Sequence, residues 1–103
     1  MTEDSREQLL EARNTVIREL HNLHKISLVQ MSDLYLNDVI HEDTEPKLSV
    51  FGQRIRLRNQ DPFKRWFEHR KKLKSTLLRD PGYLFCDFEG KPLTLRALRQ
   101  LVL

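Results

Sequence analysis

Arg54, Arg56 and Arg58 stand at alternate positions of one short stretch, with Lys47 a few residues upstream. On an extended strand, alternate side chains point the same way and repeat every ~6–7 Å. That spacing approximates successive phosphates along one nucleic-acid strand, so such a row suits backbone binding without any base readout. Lys64, Arg65, Lys71, Lys72 and Lys74 extend the cationic set into the following segment. Other reactive side chains form no constellation. His21 and His24 are three residues apart, with no acid or cysteine to complete a metal set, so no metal site is expected. Tyr35 and Tyr83 have no activating partner in the sequence and are read as core or rim residues rather than nucleophiles. No catalytic residue and no cofactor is expected.

Two elements must position the cations. Leu48–Phe51 and Arg54–Arg58 read as strands joined by Gly52-Gln53, with glycine first as a type II′ turn requires. This turn pairs Phe51 with Arg54, Val50 with Ile55, Ser49 with Arg56, Leu48 with Leu57 and Lys47 with Arg58. Leu48, Val50, Ile55 and Leu57 then share a core face, and Lys47, Arg54, Arg56 and Arg58 share the other. The next segment reads as a helix capped by Asp61, with Pro62 at its first position and Asp80-Pro81-Gly82 as its stop. Phe63, Trp66, Phe67, Leu73 and Leu77 form its apolar stripe, with Arg70 in the gap. The last turns are crowded with cations, Arg79 among them, which suits the negative end of the helix dipole.

The net charge of +3 conceals a division. Residues 1–50 carry 5 Lys/Arg against 10 Asp/Glu, whereas residues 51–103 carry 13 against 5. The division suggests either a polarised surface, with its basic side towards a polyanion and its acidic side open to a protein, or two halves that neutralise each other across the fold. At 103 residues a single domain is expected over 1–103, with residues 1–5 frayed. The one cysteine, Cys86, excludes an intramolecular disulfide and suits a reducing compartment. No apolar run reaches the ~18 residues of a membrane span. A cytoplasmic protein without membrane contact is expected.

The remaining chain reads in order. A helix is expected from Arg6 to about His24, with Leu9, Leu10, Val16, Ile17, Leu20 and Leu23 on one face and a Ser5/Gln8 capping box. A shorter helix from Ser27 to about Asp33 carries a second box, Ser27/Gln30, and buries Leu28, Met31 and Leu34. Leu36–Ile40 forms a short strand and residues 41–46 an acidic loop, so the hairpin becomes part of a three-stranded antiparallel sheet. Tyr83–Cys86 is a short extended segment, followed by a turn over Asp87–Pro92. Thr94 caps a last helix, Leu95 to about Val102, whose Leu95, Leu98, Leu101 and Val102 face inward. The fold class is α+β, with helices packed on a small sheet. The apolar end of the last helix requires a lid, from the rest of the fold or from another chain.

This succession resembles the first half of the catalytic domain of tyrosine recombinases, the phage integrase or Xer-like family. Arg13-Asn14 through Leu20 is similar to its R-N…L helix, and Leu34–Val39 to its L-x-W-x-D-I segment. Val50–Arg56 is similar to its V-x-G-K-G-x-K-x-R hairpin, and Tyr83-Leu84-Phe85 with Gly90–Thr94 to its Y-L-F…G-K-P-L-T. The resemblance covers residues 10–102. It also implies absences. The family's catalytic arginine falls at Ser27, with no arginine between Arg18 and Arg54. Its hairpin lysine falls at or near Gln53, and the H-x-x-R box and nucleophilic tyrosine have no counterpart. The resemblance therefore implies a non-catalytic relative that binds duplex DNA, or that pairs with a full-length recombinase or with itself through the C-terminal helix. The setting would be an accessory or regulatory protein of a mobile element. The alternatives are a protein-interaction module, such as an inhibitor or antitoxin-like factor that does not bind nucleic acid, and a fragment of a longer recombinase.

Overall fold

The computed structural model describes residues 5–42, 45–76 and 80–103, with the backbone alone at 41 and 42. Of the expected fraying of residues 1–5, residues 1–4 lie outside them, as do Leu77 and Arg79, whereas Ser5 is placed as the cap of α1. Among the described residues the chain is α+β: four α-helices and one three-stranded antiparallel sheet. The order is α1 (Arg6–Asn22), α2 (Leu28–Ser32), a 3-10 turn (Leu36–Asp38), β1 (Val39–Glu42), β2 (Glu45–Val50), β3 (Gln53–Ile55), α3 (Gln60–Thr76) and α4 (Leu95–Val102).

Local chemistry sets the helix ends. Ser5 and Gln8 form the capping box that starts α1, and Ser27 and Gln30 the one that starts α2. Thr94 accepts the Ala97 amide to start α4. The first helix stops where Lys25 takes φ +59° and the Ile26 amide reaches back to Leu20 O at 3.0 Å, so it ends two residues before the expected His24. Gln60 and Asp61 precede Pro62 inside α3, which places the proline third in the helix rather than first. It is still within the first turn, where a missing N–H has no intrahelical bond to lose.

Val16, Ile17 and Leu20 of α1 meet Phe63, Trp66 and Phe67 of α3, and with Leu48, Leu57, Leu84 and Leu98 they form one continuous core. The Trp66 indole N–H donates to Leu84 O at 2.8 Å, so the segment after α3 is held against that helix. This segment is extended but joins no named strand. Tyr83 bridges Tyr35, Leu36 N donates to Gly82 O, and Leu84 N donates to Leu34 O. Further corrections follow from packing. The acidic loop shortens, because β1 and β2 pair as far as Glu42 and Glu45. The first residues of the expected strand, Leu36 to Asp38, wind as the 3-10 turn. Leu23 and Leu95 point to solvent rather than inward, and Leu28 is only half-buried. The fold itself supplies most of the lid over α4: Leu98 is fully buried, Leu101 and Val102 pack against the core, and exposure is confined to Leu95 and Leu103.

Candidate nucleic-acid interface

The basic hairpin turns one residue earlier than its glycine suggests. Val50 pairs with Gln53, Ser49 with Arg54 and Leu48 with Ile55, leaving Phe51-Gly52 as the loop. Phe51 has φ +49° and Gly52 φ +76°, two successive left-handed residues as in a type I′ turn. The turn moves by one position and the pairing by two, so the division of faces survives while the partners change. A contact from α1 accompanies the change. Buried Glu19 accepts the Arg58 amide at 2.7 Å and the Asn59 amide at 2.9 Å. Those amides are thus committed to Glu19, and the Arg58 amide is not free for the expected pairing with Lys47. Leu57 leaves the ladder for the core, where it is 1% exposed.

The arginine row is therefore not one straight track. Arg54 lies on β3, exposed, across from Ser49. Arg56 lies beyond the strand and grips Glu45 with two hydrogen bonds of 2.6 and 2.9 Å. Each partner stabilises the other's charge: the Glu45 carboxyl is held below the usual carboxylate range and the Arg56 guanidinium above its ordinary value. Arg58 sits apart, lining a shallow groove of about 330 Å³ with Thr15, Arg18 and Asn22 of α1.

The helical cations divide in the same way. Lys64 and Lys72 are exposed and make no ion pair among the described residues. Arg65 pairs with Asp61 at 3.1 Å and Lys71 with Glu68 at 2.9 Å, both on exposed flanks of the helix, where such pairs contribute ~0.3–0.5 kcal/mol. Lys74 donates weakly to Asp80 O at 3.4 Å. Arg70 is no surface cation. It is fully buried, bidentate to Asp80 at 2.8 and 2.8 Å, with its Nε–H on Tyr83 O at 2.8 Å. Its place in the apolar stripe was legible, whereas its partner ten residues on was not.

The two basic elements are neighbours, and Glu45 feels cations of both. After the dominant hydrogen bond from Arg56, both Lys64 of α3 and Lys47 of β2 add to the pull on its carboxyl. Hairpin and helix thus present a joined cationic surface, with one acid at its centre. Two non-bridging oxygens of a backbone phosphate can accept from Arg56 in the same bidentate manner as Glu45 does.

The Tyr35 and Tyr83 rings stack with centroids 4.8 Å apart. The Tyr35 phenol is held above its usual value, first by the neighbouring Tyr83 phenol and more weakly by burial and by Asp33 and Asp38. The His21/His24 pair is already engaged: His21 Nδ1 lies 3.0 Å from Ile26 O and His24 Nε2 2.9 Å from Glu19. Among the described residues no group of three metal-ligating side chains forms, and no helix is long and apolar enough to cross a membrane. Comparison with protein-family models, with curated proteins and with solved structures returns no match to this chain.

Proposed function

We propose that the protein binds duplex DNA through the exposed face of α3 and the adjoining basic face of the hairpin, without cleaving it. It would act as a recombinase-like accessory protein of a mobile element. The observation that carries this reading is the exposed cationic set on the two adjoining elements, Arg54 and Arg56 on the hairpin and Lys64 and Lys72 on α3, with Arg56 bound to Glu45 by two hydrogen bonds. Lys64 and Lys72 add exposed charge and form no ion pair among the described residues. Contacts of this kind bind phosphates and carry little sequence information, so affinity should be similar for duplexes of unrelated sequence.

The absence of cleavage rests on the tyrosines. An attacking phenol must lose its proton, and the Tyr35 phenol is pushed the other way by Tyr83 and by two neighbouring carboxylates. A transition state at phosphorus also needs converging cations, and among the described residues none hydrogen-bonds either phenol. Two experiments test the reading. Competition between unrelated duplexes should give nearly equal affinities, and a preference of about a hundredfold for one would reject backbone-only binding. A nicked suicide duplex should yield no covalent adduct; an adduct on Tyr35 or Tyr83 would overturn the non-catalytic assignment.

A further inference from the structure

Phe51 is 81% exposed and sits at φ +49°, a conformation that favours Gly, Asn or Asp. A phenyl group here gains little burial and works against its own turn. Phe51 does not stand alone. It forms one lip of a groove of about 490 Å³ between the hairpin tip, α2 and the 3-10 turn, lined also by Val29, Asp33, Leu34, Tyr35 and Asp38. That volume suits one or two side chains of a ligand. Val29 is 60% exposed and Tyr35 38%, so three apolar or aromatic groups face solvent around one concavity.

The charge of the groove selects the occupant. Asp38 uses one carboxylate oxygen on the Tyr35 amide at 2.8 Å, whereas Asp33 makes no ion pair among the described residues. Both carboxylates act on the Tyr35 phenol from within the groove. Such a site repels phosphate and attracts a cation beside an apolar body. We propose that this groove docks a segment of a partner protein in which an aliphatic or aromatic side chain lies next to a lysine or arginine. The apolar side chain would rest between Phe51, Val29 and Tyr35, and the cation would meet Asp33 and Asp38. The groove borders the hairpin face proposed for DNA, since Ser49 lines it and pairs with Arg54, but it lies apart from α3, and the inference does not depend on DNA binding.

The test is selection of a displayed library of short random peptides on the full chain, without DNA. The enriched sequences should pair an apolar residue with Lys or Arg, and the best peptide should weaken at least about tenfold on Asp33→Lys and on Phe51→Asn. Phe51→Asn should melt no lower than the wild type, because Asn-Gly is the preferred type I′ pair. Val29→Ser serves as a second variant with the turn intact and should weaken the peptide as well. Several results would overturn the proposal: no enrichment, enriched peptides without a cation, or affinity unchanged in all three variants. A wild-type dimer dissolved by Phe51→Asn would give the groove to a second copy instead. Loss of duplex affinity in Phe51→Asn with peptide binding intact would make the phenyl a DNA wedge, and that too would overturn it.

Discussion

Removing one partner of the Arg70–Asp80 pair should destabilise the protein more than any surface change. Both side chains are 0% exposed, and the pair is closed by two hydrogen bonds of 2.8 Å. Asp80 also accepts the Gly82 amide at 2.8 Å, and Arg70 donates to Tyr83 O, so the pair fixes the segment that returns across α3. Arg70→Met or Asp80→Leu leaves a buried charge alone, at a cost of about 3–5 kcal/mol. For a domain of 103 residues that lowers the melting temperature by at least about 12 °C. The double variant removes the stranded charge and leaves only the Tyr83 carbonyl and the Gly82 amide without partners. Its cost should fall short of the summed singles by about 2–3 kcal/mol. Urea denaturation of the four proteins measures this coupling, with the slope of the transition checked for constancy. Singles that each cost less than ~1 kcal/mol and add without coupling would show that water reaches the pair, and the buried assignment would fail. Because Arg70 faces the core, variants that remain folded should keep their duplex affinity.

Acidification should release two further contributions. The Asp80 carboxyl is held below its usual value, chiefly by Arg70, and Glu19 is held low because the Asn59 amide, His24 and the Arg58 amide together outweigh the opposing effect of burial. Folded values below unfolded ones mean stability that is present above about pH 4 and lost as pH falls through the folded values. Melting followed by circular dichroism should therefore drop on acidification, and Glu19→Gln should flatten part of the drop; an unchanged profile in Glu19→Gln would remove Glu19 from the account. Leu57→Ala should cost about 2–5 kcal/mol and Ile55→Ala distinctly less, because Leu57 is 1% exposed and Ile55 is half-buried. Equal costs in denaturant titrations would contradict the observed departure of Leu57 from the sheet.

Much of the architecture was legible because local chemistry and periodicity agree. Ser5/Gln8, Ser27/Gln30 and Thr94 mark three helix starts by their hydroxyls. The stripe Phe63, Trp66, Phe67 marks the buried face of α3. The alternation in Leu48, Val50 and Leu57 separates core from cations whatever the register. The turn was not legible, because glycine permits either central position and Glu19, far away in the chain, claims the Arg58 and Asn59 amides. Nor was the Arg56–Glu45 pair, which depends on that register. Buried Arg13 is a similar case: its guanidinium donates to Cys86 O at 3.0 Å across 73 residues of sequence, and nothing near it in the chain signals burial. Phe51 was hidden by the expectation that Gly52 leads the turn.

The central claim, that the joined surface of α3 and the hairpin binds duplex backbone, is tested most directly by the salt dependence of binding. Fluorescence anisotropy of a labelled random-sequence duplex gives the slope of log affinity against log salt. Each phosphate neutralised adds ~0.9 to its magnitude. Replacing Lys64 and Lys72 together by Ala should reduce the slope by about 2. Arg56→Ala should reduce it by less than about 1, because its charge is shared with Glu45. Arg58→Ala, on the groove beside α1, should leave it unchanged. No binding at about 50 mM salt, or a slope that the double substitution does not move, would contradict the claim.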